Sequence, residues 1–221
     1  MHTLQLKGIE KTFTQTTISI PLLKNCTAVF EQGNTYGLIG ASGIGKSTLM
    51  HILAGIDTPT KGLVLFDTTN IHEFSNKQRT QYIGFVTQSP HMIKELTVYE
   101  NCEIAGKIAG ISTIVIKERL DELFTLLNLS HTYHWNIGQL SGGQLQRIAI
   151  IRSLVTRPAF LLADEPTGSL DEITGKELLS VLLTCQKKWG MGLIISSHNK
   201  YITDQLQVVF TLQNGILVHA L

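Results

Sequence analysis

The stretch from Thr35 to Gly55 limits what this chain can become more than any other. Thr35-Tyr36-Gly37-Leu38-Ile39 is a short apolar run of the kind that forms a buried strand. It runs without a linker into Gly40-Ala41-Ser42-Gly43-Ile44-Gly45-Lys46-Ser47, and Lys46 to Ala54 then reads as a helix, with Gly55 placed to end it. A strand that turns into a helix through glycines is a unit of a parallel sheet, so an α/β layered fold is expected.

The remaining patterning agrees. Ala159-Phe160-Leu161-Leu162-Ala163 and Gly192 to Ser196 are short, uniformly apolar runs, and a helical pattern from about Glu172 to Lys188 separates them. Such runs alternating with helices mark a parallel sheet covered on both faces. The first third differs: Leu4, Leu6, Leu22 to Phe30 and Leu63 to Phe66 read as half-exposed strands of an antiparallel edge. Tyr82 to Val86 is a further strand. From Thr97 to Leu127 the period is helical, with Thr97 and Glu100 at capping-box spacing and an i, i+3, i+4, i+7 stripe at Leu120, Leu123, Phe124 and Leu127. The expected organisation is one domain: residues 1–87 and 158–221 form a core with an antiparallel β lobe, and residues 88–157 form an inserted helical lobe.

Composition excludes several classes. The 221 residues suit one hydrophobic core, and 18 basic residues against 17 acidic ones, without a like-charged block, give no nucleic-acid footprint. With 16% charged residues, part of the surface is expected to be covered by a partner. Cys26, Cys102 and Cys185 are scattered and odd in number, which suggests neither disulfides nor zinc and fits a reducing cytoplasm. The N-terminus lacks a secretory pattern, and no apolar run reaches the roughly 18 residues of a spanning helix. His131 and His134 have no further ligand nearby and read as a solvated pair.

The glycine loop has the P-loop spacing, Gly-x4-Gly-Lys-Ser, between a strand and a helix. Glycines let main-chain N–H groups wrap phosphates, the helix N-terminus adds partial positive charge, Lys46 reaches the outer phosphates, and Ser47 suits Mg²⁺. Residues 40–48, Thr48 included, are therefore the expected ATP phosphate cradle. Asp164 and Glu165 close the apolar run at 159–163, which sets both carboxylates at the carboxyl end of a central strand. Asp164 is expected to serve the Mg²⁺ shell and Glu165 to polarise the attacking water.

Leu140-Ser141-Gly142-Gly143-Gln144 begins another helix, because Ser141 and Gln144 match the S-x-x-Q capping box. Two glycines in a first turn cost about 1 kcal/mol each relative to alanine. That cost points to a close approach by another group, for which an anion at a helix N-terminus is the natural candidate.

With these motifs the chain resembles the ATP-binding-cassette (ABC) ATPases over essentially its full length, and the sequence at 140–144 is the most specific match. The resemblance implies a P-loop core with an antiparallel β subdomain and an inserted helical subdomain. It also implies head-to-tail pairing of two copies, each ATP held between the P-loop of one and Ser141-Gly142-Gly143, with Gln144, of the other. Gln88 would contact Mg²⁺ and water, Asp171 would act across the dimer, and His198 would contact the γ-phosphate. Phe13 stands where the family usually has an adenine-stacking tyrosine, and Asn199 where an acidic residue commonly follows the histidine. The segments at 53–62, 95–101 and 163–171 resemble the branch serving lipoprotein release, macrolide export and cell division. That implies a peripheral subunit at the cytoplasmic face of a bacterial inner membrane, driving separate membrane permease subunits. The alternatives are a cell-division type of ATPase that signals to cell-wall enzymes without moving a substrate, and a soluble ABC protein of translation or DNA repair.

Overall fold

A computed structural model describes residues 1–15 and 18–219. In chain order its elements are β1 (Thr3–Gln15), β2 (Ile18–Glu31), β3 (Thr35–Ile39), α1 (Lys46–Leu53), β4 (Lys61–Phe66), β5 (Thr69–Asn70), α2 (Asn76–Tyr82) and β6 (Ile83–Val86). They continue with α3 (Val98–Ile108), α4 (Thr113–Leu126), α5 (Gly142–Leu154), β7 (Phe160–Asp164), α6 (Glu172–Trp189), β8 (Gly192–Ser196), α7 (Lys200–Thr203), β9 (Val208–Gln213) and β10 (Ile216–His219).

The main sheet has six strands in the order β10-β9-β3-β8-β7-β6, and all its pairings are parallel except β9 with β10. Every residue of β7 and β8 is buried, as expected of strands covered on both faces. The two-residue period then sorts side chains between two cores. Leu161 and Ala163 join Ile116, Leu120, Phe124, Ile148, Ile151 and Leu178 on the helical side. Phe160 and Leu162 join Leu4, Leu6, Phe30, Leu49, Met50 and Val64 on the other. The stripe at Leu120, Leu123, Phe124 and Leu127 is fully used, each residue at most 1% exposed.

The antiparallel strands form a sheet of their own, in the order β2-β1-β4-β5, instead of an edge of the main sheet. β1 and β2 span 13 and 14 residues, where the sequence suggests shorter pieces. The reason is a register irregularity between Leu6 and Ile9. It returns Ile9 to the core face beside Leu4 and Leu6, which a straight strand could not do. Tyr82 ends α2 instead of opening a strand, because Ser75 and Gln78 form a capping box that starts a helix there. The hairpin β9–β10 closes the sheet edge, and its mixture of half-buried positions gives no clean alternation in the sequence.

Candidate functional site

Register brings the chemistry to one edge of the main sheet. Leu38 lies opposite Ser196, Ser196 opposite Asp164, and Ala163 opposite Val86. The chain therefore leaves β3, β8, β7 and β6 on the same side, which is where ligands bind in open α/β sheets. Gly40 to Gly43, Gly45 to Thr48, Gln88, Glu165 and His198 surround a cavity of about 590 Å³ there, with Leu22 as its apolar wall.

The loop depends on its glycines at the point where it becomes helix. Gly45 sits at φ +113, and a Cβ on it would lie 3.0 Å from Leu22 Cγ. No side chain caps α1, so its first N–H groups face the cavity unpaired by a local cap. Lys46 is 8% exposed at its side chain. Its Nζ donates to the carbonyls of Gly40 at 2.9 Å and Ala41 at 3.1 Å, and lies 3.9 Å from Glu165 Oε1. The ammonium is held at the cavity floor, within reach of any anion that displaces these carbonyls.

Asp164 and Glu165 take different environments although they are adjacent. Asp164 is buried, and the Ser196 hydroxyl donates to its Oδ1 at 2.5 Å. Glu165 turns its backbone to φ +45, a region costly for a residue with a Cβ. Its N–H donates to both the carbonyl of Ser196 (3.1 Å) and the Ser196 hydroxyl (3.0 Å). This twist carries the Glu165 carboxylate into the cavity, where His198 Nδ1 lies 3.1 and 3.0 Å from its two oxygens. The His198 ring is 73% exposed and so stands at the cavity mouth. Ser196 is a residue that motif reading misses: only the strand pairing brings it 31 positions back onto Glu165. Leu22, on β2, carries no motif either and reaches the loop through the fold, against Gly45.

Ser141, Gly142, Gly143 and Gln144 line a second cavity of about 590 Å³ together with Arg147, Ser169, Leu170, Asp171 and Thr174. Among the described residues none lines both cavities. The capping box is present: Ser141 Oγ accepts from Gln144 N, and Gln144 Oε1 accepts from Ser141 N. A Cβ on Gly142 would meet nothing within 4 Å among the described residues, so no contact seen there requires glycine. Asp171 is the cap of α6, accepting from Ile173 N, Thr174 N and the Thr174 hydroxyl. These bonds, Thr174 N–H first, hold its carboxyl below the usual range.

Phe13 lies apart from both cavities. It is 45% exposed on β1, opposite Ile20, with Lys11 Nζ 5.3 Å above its ring. Asn199 caps α7 by accepting from Tyr201 N. His131 stacks edge-on against Trp135 at 5.4 Å, and no group of three or more metal-ligating side chains occurs among the described residues.

A parallel sheet whose strand β3 runs through a glycine loop into α1, with an acidic pair closing a neighbouring strand beside that loop, defines a P-loop ATPase. Residues 23–168 match the family model described as ABC transporter. The chain is 36% identical to the lipoprotein-releasing system ATP-binding protein LolD of Legionella pneumophila (strain Lens), over 94% of this chain and 93% of that protein. It is also 36% identical to the macrolide export ATP-binding/permease protein MacB of Pectobacterium atrosepticum, over 97% of this chain but 34% of that longer protein. Among solved structures, the dimeric post-hydrolysis state of the ATP-binding cassette MJ0796 bound to ADP and Pi superposes with a TM-score of 0.89. That match is at 30% identity and covers 98% of this chain and 97% of that one. The chain belongs to the ABC transporter family, as an ATP-binding, ATP-hydrolysing subunit.

Proposed function

We propose that two copies of this chain close head to tail on two ATP molecules and drive separate membrane permease subunits, in lipoprotein release from a bacterial inner membrane. The observation that carries the pairing is the presence of two glycine-opened helix N-termini, at Lys46 and Ser141, in two cavities with no residue in common. A single copy holds the phosphates on one side; the bare turn at Gly142-Gly143 is the surface a second copy would bring to the other. The relatives named LolD support the release role. No described helix is long and apolar enough to cross a membrane; in this reading the chain sits as a peripheral subunit at the cytoplasmic face. The helices from Thr97 to Leu127, next to Gln88, would receive the permease.

In this reading the N–H groups of residues 40–48 and the Lys46 ammonium hold the β- and γ-phosphates. Glu165 orients a water for in-line attack on the γ-phosphorus and takes its proton, while the bond to the ADP oxygen breaks. Gln88 orders that water from the opposite side, and His198 meets the γ-phosphate oxygens while holding the Glu165 carboxylate in place. Ser47, Gln88 and Asp164 present a hydroxyl, an amide oxygen and a carboxylate, the hard oxygen donors that suit Mg²⁺. Among the described residues only Oδ1 of Asp164 is engaged, which leaves its other oxygen for that shell. When bound, Mg²⁺ neutralises phosphate charge.

The test is capture from bacterial membranes with Glu165→Gln plus ATP, followed by identification of the retained protein and a lipoprotein-release assay with the captured complex. The reading expects a permease, retained only with ATP, and release activity restored by the wild-type chain. Retention of a membrane protein whose outer domain regulates cell-wall hydrolases, with no release activity, would overturn it.

A further inference from the structure

Helix α5 does more than begin with Ser141-Gly142-Gly143. Along its length it grips three main-chain carbonyls of the segment that contains Gln88. The Ser153 hydroxyl donates to Phe85 O at 2.8 Å, Gln146 Nε2 to Thr87 O at 3.2 Å, and Arg152 Nη1 to His91 O at 2.6 Å. These bonds anchor backbone, so they set the path of the loop whatever its side chains do. Thr87 directly precedes Gln88, so of the three anchors the Gln146 bond lies nearest Gln88 along the chain.

Two features separate Gln146 from the other anchors. It is 1% exposed, and its Oε1 is buried without a hydrogen-bond partner among the described residues. Its one bond to the loop is also the longest of the three. A buried amide that uses only its donor half is a costly arrangement. Gln146 stands five residues after Ser141 on the same helix, a separation of about 7.5 Å along a rigid rod.

We propose that Gln146 is a positioning residue that couples the Gln88 loop of one nucleotide site to the Ser141-Gly142-Gly143 turn this chain offers to the other site. The inference rests on the reading of Gln88 and of that turn given above. It implies that a nucleotide contacting Gln88 shifts Thr87, that Gln146 follows, and that the start of α5 is re-aimed.

The experiment compares Gln146→Met, which keeps the volume and loses the donor, with Gln88→Ala and the double variant. Affinity of the isolated chain for a fluorescent ATP analogue is expected to stay within about twofold of wild type, while kcat falls at least about tenfold. In the Gln88→Ala background the Gln146→Met change should cause no additional loss, because the residue acts through Gln88. Gln146→Asn, which withdraws the amide by one methylene, repeats the measurement should the Met variant melt early. Unchanged kcat in both Gln146 variants, or a loss of the same size with and without the Gln88 side chain, would overturn the coupling. Wild-type turnover by Gln88→Ala alone would instead overturn the reading of Gln88, and the coupling with it.

Discussion

Replacing Ser196 by alanine tests how the acidic pair is held. Its hydroxyl is fully buried and serves both acids, donating to Asp164 Oδ1 at 2.5 Å and accepting from Glu165 N at 3.0 Å. Loss of the first bond leaves an oxygen of a carboxylate that is 7% exposed without its donor, and hydrogen bonds to charged groups contribute about 1.5–3 kcal/mol. The second loss is smaller, since Glu165 N keeps the Ser196 carbonyl at 3.1 Å. Together the change should destabilise the chain by about 2–3 kcal/mol, which lowers the melting temperature of a protein this size by about 4–12 °C. Glu165 also loses a restraint on its φ of +45. Its carboxylate should wander, and kcat should fall about ten- to a hundredfold, because small misplacements of a catalytic group are expensive. Thermal melting and steady-state phosphate release measure the two effects. A melting temperature within 1 °C of wild type together with unchanged kcat would refute the argument.

Gly142→Ala should separate stability from activity. The new Cβ meets no atom within 4 Å, so the helix gains up to about 1 kcal/mol in chemical denaturation, while ATP turnover falls about a hundredfold as the methyl blocks the approach of phosphate. Thr97→Ala removes the capping box that starts α3 and should cost about 1 kcal/mol, with nucleotide affinity unchanged in a binding titration. Glu122 bonds Lys188 at 2.6 Å and Arg157 at 2.8 Å. Its bond from Lys188, and then that from Arg157, lower its pKa against the opposing effect of burial. A lowered folded pKa gives stability that is present above the ordinary glutamate value and lost as pH falls through the lowered one. Denaturation profiles across that acidic window should therefore be flatter in Glu122→Gln than in wild type.

The sequence carried the local part of this structure and lost the long-range part. Strands β3 and β8 are legible because a buried parallel strand is uniformly apolar, and the capping boxes at Thr97 and Ser141 because a cap is written within four residues. Gly45, Lys46 and Ser47 announce the turn they make. The irregular β1–β2 pairing was not legible, since its register shift breaks the alternation that identifies a strand. Nor was the start of β6, where the box at Ser75 competes for Tyr82. In the site, Ser196 carries no motif of its own; its role exists only because β7 and β8 pair in one register. Phe13 is a different case: its place comes from resemblance alone, and the fold presents its ring on the exposed face of β1.

The central claim is that the phosphate site is completed by a second copy, and light scattering on Glu165→Gln tests it directly. With ATP, the variant should run at twice the mass of the 24.4 kDa chain, and Gly142→Arg placed in the same background should return it to the monomer. A Glu165→Gln chain that binds ATP yet remains monomeric at every nucleotide concentration, or a dimer indifferent to Gly142→Arg, would contradict the account.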